Sequence, residues 1–102
     1  MTRRKISRQA LRIDEVKFVS ASSADVATGL LGWAACTING TLRLDSLAIR
    51  RTLDGRLVVS FPGRRDGSGQ LHPYVRPLDD ASRCEIETQI FRALGLEEVP
   101  RR

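Results

Sequence analysis

The stretch Leu30–Arg51, LLGWAACTINGTLRLDSLAIRR, decides the fold. Its first part, Leu30–Ile38, is short, nearly continuously apolar and bounded by Gly29 and Asn39-Gly40. An apolar run of that length with Trp, Thr and Ile predicts a strand, here one buried on both faces. Asn39-Gly40 predicts a two-residue type I′ hairpin turn, because both residues tolerate the positive φ it needs. The return strand is Thr41–Arg51. Leu42 and Leu44 alternate with Arg43 and Asp45, after which Leu47 and Ile49 carry the apolar phase. A period of two admits that slip only with an extra residue, so a bulge is expected near Asp45–Ser46.

Working outward, Asp54-Gly55 predicts a second hairpin, and Leu57, Val59 and Phe61 follow in strict alternation as the next strand. Upstream, Leu11–Val19 predicts a first strand with Val16 and Phe18 on one face, and Ser20–Gly29 reads as a loop. Downstream, Gly63–Gln70 (GRRDGSGQ) reads as a loop. Leu71–Leu78 is extended, but Pro73 and Pro77 lack an amide donor and place it at an edge or outside the ladder. The period then changes. Ile86, Ile90 and Leu94, with Phe91 and Ala93 beside them, form one helical stripe over Arg83–Leu94. Ser82 and Glu85 suit a capping box, and Gly95 suits the stop. Strands first and a helix last predict an α+β fold, an antiparallel meander of four to five strands with one C-terminal helix.

The chain has 102 residues, enough for one domain. Residues 11–96 are expected to form it, with a disordered basic arm over 1–10 and a short tail over 97–102. A core this small makes a partner subunit plausible. No apolar run approaches a spanning helix, and the charged N-terminus lacks the apolar stretch of a secretory signal. A cytoplasmic protein with no membrane partner and two reduced thiols, Cys36 and Cys84, is the expectation.

The formal net charge is +5, unevenly spread. Between Arg43 and Arg76 there are seven arginines and three aspartates; between Pro77 and Pro100 there are two arginines and six acids. The middle of the chain is therefore basic and the C-terminal segment acidic. A basic patch favours polyanions, while a charged face can equally be plain solvation.

Catalytic and metal chemistry find little support. His72 is the only histidine, and no Cys-x-x-Cys or His-x-x-x-His spacing occurs. Cys84 with His72 is the one conceivable nucleophile–base pair. Glu85 beside Cys84 opposes a lowered thiol pKa, so a packed or surface thiol is the default. GRRDGSG follows a strand, as a phosphate-binding loop does, but lacks the lysine and the following helix. Arg64 and Arg65 on a glycine-rich tether suit contact with a phosphate backbone better. Arg50 and Arg51 lie at the other end of the strand that precedes them.

From Leu57 to Leu94 the chain resembles the stage V sporulation protein G (SpoVG) family. The residues that carry the likeness are Phe61-Pro62-Gly63-Arg64-Arg65, the turn Asp66-Gly67-Ser68-Gly69, Pro77-Leu78, and Ser82, Arg83 and Ile86. The resemblance implies a dimeric α+β domain, cytoplasmic and bacterial, that binds DNA and RNA as a regulator of septation or sporulation. It implies no enzyme activity and no cofactor. Carried over, Arg64 and Arg65 are loop basic residues and Arg83 a basic residue at the helix start. Glu85 stands where the family has a second basic residue, Arg76 where it has a histidine, and the basic arm is additional. The expected nucleic-acid-binding residues are thus Arg50, Arg51, Arg64, Arg65 and Arg83. The competing expectation is a non-catalytic protein-interaction module of the same fold, with the acidic C-terminal helix facing a protein partner.

Overall fold

A computed structural model of the chain describes residues 10–96. Nearly all of the basic arm and all of the tail fall outside them. The elements are β1 (Ile13–Ser20), α1 (Ser23–Ala27), β2 (Leu30–Ile38), β3 (Leu42–Arg51), β4 (Leu57–Ser60), β5 (Gly63–Arg65), β6 (Leu71–Pro73) and α2 (Asp80–Leu94). Strands β1 to β4 form an antiparallel sheet in sequential order, and β5 and β6 form a separate two-stranded ribbon. The class is α+β, with α2 packed on one face of the sheet.

The central hairpin takes the expected positive φ at Asn39 and Gly40, 50° and 63°, and the Thr41 amide donates to the Ile38 carbonyl at 2.9 Å. Its loop is one residue longer than the two expected, because Ile38 pairs with Leu42 and Thr41 stays outside β3. The bulge in β3 lies where the apolar phase slips. Ala34 pairs with Leu47 and Cys36 with Leu44, so β3 carries one residue more than β2, and Ser46 takes φ 62°. That insertion returns Leu44, Leu47 and Ile49 to one face, all buried. A second bulge lies in β1 between Asp14 and Lys17, with Glu15 at φ 51°. It brings Ile13 into phase with Val16 and Phe18.

β2 is buried on one face, not two. Gly32, Ala34 and Cys36 turn inward, whereas Trp33 is 40% exposed on the opposite face. The inward side chains are small because neighbours approach closely. A Cβ on Gly32 would lie 2.6 Å from Phe18 Cζ and nearer still to the Val19 carbonyl oxygen. The core joins Ala34, Cys36, Leu47, Ile49, Leu57 and Val59 to Ile86, Ile90 and Phe91 of α2. Fully burying each large apolar side chain contributes roughly 1.5–3 kcal/mol.

Three local expectations are corrected. Within Ser20–Gly29, Ser23–Ala27 forms a single helical turn, because the Ser22 hydroxyl accepts from the Asp25 amide at 3.2 Å. Within Gly63–Gln70, the first three residues pair as β5 with β6. Helix α2 starts at Asp80, ahead of Arg83, because the Asp79 carboxylate caps it by accepting from the Ser82 amide at 2.8 Å. Ser82 is thus the residue whose amide is capped. Ala93 faces solvent, while Gly95 stops the helix in the left-handed conformation, φ 71°.

α2 also ties down both edges of the sheet. Gln89 accepts from the Ile13 amide at 2.8 Å and donates to the Leu11 carbonyl at 2.7 Å, closing the β1 edge. At the β4 edge, Glu87 Oε2 accepts from the Val59 amide at 3.0 Å, and Arg83 Nη1 donates to the Val59 carbonyl at 3.0 Å. Edge strands leave backbone groups unpaired, and here helix side chains take them up. Among the described residues no helix is long and apolar enough to cross a membrane.

Candidate nucleic-acid interface

The ribbon of β5 and β6 leaves the sheet through Phe61-Pro62 and is built on close backbone approach. Gly63 pairs with Pro73, and a Cβ there would lie 2.6 Å from Pro73 Cα. The Tyr74 amide donates to the Pro62 carbonyl at 2.9 Å and fixes its base. At the tip, Asp66 Oδ1 accepts from the Ser68 amide at 2.9 Å, the Ser68 hydroxyl at 2.7 Å and the Gln70 amide at 3.0 Å. Its other oxygen meets His72 Nε2 at 2.7 Å. The bond to His72, then those from Ser68 and Gln70, hold the Asp66 carboxyl far below the usual aspartate range. Asp66 is therefore ionised across neutral pH, and its hydrogen bonds close the tip.

This ribbon presents Arg64 and Arg65 to solvent. Neighbouring strand residues project to opposite faces, so the two guanidinium groups serve the two sides of the ribbon. Arg64 lies opposite His72 in the ladder. Arg65 Nη1 donates to the Gly69 carbonyl at 2.8 Å across the turn, with the residue still exposed.

Arg50 and Arg51 divide in the same way. Arg50 follows the buried Ile49 and lies exposed on the open face of the sheet. Among the described residues neither Arg50 nor Arg64 has a side-chain hydrogen bond or ion pair. Arg51 is half-buried and donates from Nη1 to the Gly55 carbonyl at 3.1 Å, closing the turn before β4. Arg50 and Arg51 lie beside the first residues of β4, as ladder partners of Val58 and Leu57, whereas Arg64 and Arg65 follow beyond its other end on the ribbon. They form a spread basic surface and not one cluster.

Arg83 has a different duty. Its guanidinium bridges the Val59 carbonyl and Glu87 Oε2, the latter at 3.3 Å, and stacks 5.6 Å from the Phe61 ring centroid. It fastens the start of α2 to β4. Three of the acids at the helix are similarly engaged, while Asp80 stays exposed: Asp79 caps the helix, Glu87 is turned onto β4, and Glu85 accepts from Gln89 Nε2 at 2.7 Å.

Cys36 is buried, and burial pushes its thiol pKa up, against the nearby Arg43 charge. Cys84 is exposed on α2, and His72 is engaged with Asp66 at the ribbon tip. Among the described residues no group of three or more His, Cys, Asp or Glu side chains gathers to hold a metal.

The open face of the sheet escaped the sequence reading. Trp33 lies there between Val19 on β1 and Ala48 on β3, with Lys17, Arg43 and Arg50 on the same face. The signal was the alternation of small Gly32, Ala34 and Cys36 with larger Leu31 and Trp33. A run that looks uniformly apolar is in fact two-faced.

No family model matches the chain. The phenylalanine–tRNA ligase alpha subunit of Xylella fastidiosa (strain M12) is 39% identical to it over 67 residues, 65% of this chain. Those residues are 18% of that subunit, so the chain spans under a fifth of the curated relative it matches.

Proposed function

We infer that the protein is a non-catalytic nucleic-acid-binding regulator of the SpoVG type, cytoplasmic and homodimeric, that grips DNA or RNA through arginine–phosphate contacts. The observation that carries this reading is the β5–β6 ribbon. It holds Arg64 and Arg65 exposed on a tip that Asp66 stiffens, so phosphate contact orders little that is not ordered already. Arg50 extends the surface along the sheet. Arg51 and Arg83 support it from behind, as the residues that fix the β4 turn and the helix start. A dimer doubles the number of phosphates contacted, and with it the slope of log affinity against log salt.

The competing reading, a protein-interaction module using the acidic helix, loses support from the same geometry. Asp79 and Glu87 are engaged within the domain, which leaves only the exposed Asp80 and Glu85 of the described acids at the helix to form an acidic face. The tRNA ligase likeness concerns too small a share of that subunit to bring its activity here.

The test is binding of labelled RNA and DNA at low salt by wild type, by Arg64→Ala/Arg65→Ala and by Arg83→Lys. The reading expects at least tenfold weaker binding for the ribbon variant, with Arg83→Lys close to wild type. Undiminished binding by a folded ribbon variant would overturn it.

A further inference from the structure

The bulge in β3 opens a hollow of about 210 Å³ on the open face of the sheet. Ala35 forms its floor. Lys17 stands across on β1, since Lys17 and Ala35 are ladder partners, and Asp45 and Ser46 stand across on β3, where the bulge turns them outward. Trp33 and Val19 close one end. Arg43 Nε lies 3.6 Å from Asp45 Oδ1, a solvent-exposed ion pair at the rim. Arg43 is itself steadied by donating to Thr37 Oγ1 at 3.3 Å.

The contents select an occupant by chemistry. An exposed indole offers a flat apolar surface on which an aromatic heterocycle stacks. A carboxylate only accepts hydrogen bonds, so it prefers a ring edge with adjacent N–H donors. Among the nucleobases, guanine presents two such donors side by side, its imino and exocyclic amino groups. The Ser46 hydroxyl can donate or accept beside them. The Lys17 ammonium, which has no ion pair among the described residues, suits a flanking phosphate. The hollow fits one heterocycle and is small beside the roughly 300–1,000 Å³ of pockets for larger ligands. The charged rim is a poor match for the apolar centre of a sheet-on-sheet contact.

We propose that this hollow takes one unstacked guanine base of a single-stranded nucleic acid, stacked against Trp33 and held at its edge by Asp45. The inference rests on the nucleic-acid reading above and deepens it. The ribbon arginines contribute affinity that is blind to sequence, and the bulge pocket contributes base choice. Duplex DNA cannot supply this ligand without extruding a base, so single strands are preferred.

Trp33 is the chain's only tryptophan, so its fluorescence reports on the hollow directly. The experiment titrates the full chain at low salt with short uridine strands carrying one central guanosine or one adenosine. Thymidine DNA strands with the same two bases and the corresponding duplex complete the set. Anisotropy of a label on the nucleic acid follows binding anywhere on the protein, and Trp33 emission follows the hollow. The expected result is quenching by guanine-containing single strands, which bind about tenfold tighter than their adenine counterparts, as one bidentate edge contact gives. Asp45→Asn should remove that preference with the fold intact. Trp33→Leu should weaken single-strand binding roughly tenfold while leaving duplex binding alone. Arg64→Ala should weaken guanine and adenine strands equally.

Binding seen by anisotropy with Trp33 unquenched, or equal affinity for guanine and adenine, would overturn the pocket and leave the phosphate reading standing. Absence of any anisotropy change at low salt would overturn both. A Trp33 emission shift that depends on protein concentration alone would show the face covered by a second copy and would also overturn the pocket.

Discussion

Gln89→Ala should be among the most damaging single changes at a half-buried polar position. The Gln89 amide makes two hydrogen bonds to the β1 edge, with the Ile13 amide at 2.8 Å and the Leu11 carbonyl at 2.7 Å. Each such bond contributes about 1 kcal/mol net, and a part-buried donor left without a partner adds a desolvation penalty. Ile13 itself is only 8% exposed, so water reaches its amide poorly. The combined cost is about 2–3 kcal/mol. For a domain of this size that is a drop in Tm of about 10 °C or more. Thermal and urea unfolding followed by far-ultraviolet circular dichroism measure it, with the neighbouring exposed Thr88→Ala as a control expected to stay within about 0.5 kcal/mol. Gln89→Glu keeps the acceptor for Ile13, loses the donor to Leu11 and meets Glu85, so it should also destabilise. A loss below about 0.5 kcal/mol for Gln89→Ala would refute the idea that helix side chains secure the edges of this sheet.

Further outcomes follow from other parts of the fold. Ile90, fully buried between α2 and the sheet, should cost about 2–5 kcal/mol as Ile90→Ala, read as a lower urea midpoint. In the native protein a thiol reagent should label Cys84 at once and Cys36 only on unfolding; equal rates would show that Cys36 is not shielded. The Asp66 carboxyl has its pKa lowered on folding, so its contribution to tip order is full above the ordinary aspartate range and is lost as pH falls through the depressed value. Amide exchange at Ser68 and Gln70, corrected for intrinsic rates, should therefore show unchanged protection between pH 7 and about 5. Asp66→Ala should lose that protection at both pH values.

Much of this architecture is legible in local chemistry. Asn39-Gly40 dictates a turn with two positive φ values, and the slip from Leu44 to Leu47 dictates a bulge, because both follow from backbone sterics alone. The stripe of Ile86 and Ile90 and the stop at Gly95 follow in the same way. What stayed hidden depends on partners distant in sequence. Arg83 reads as a free cation at a helix start until the Val59 carbonyl and the Phe61 ring are placed beside it. Glu87 reads as part of an acidic face until the Val59 amide claims it. Trp33 reads as core because a tryptophan in an apolar run usually is, yet with α2 on only one face of the sheet, its side of β2 stays open. Asp79 and Ser82 are both good capping residues, and the choice between them rests on where the chain from Pro77 enters the helix.

The central claim is that arginines on the β5–β6 ribbon contact phosphates, and the salt dependence of binding tests it most directly. Affinity for a single-stranded RNA measured across a series of salt concentrations should fall linearly on logarithmic axes. Arg64→Ala should make that slope shallower by about 0.7, the value of one phosphate contact on a single strand. An unchanged slope in a variant that folds like wild type would contradict the account.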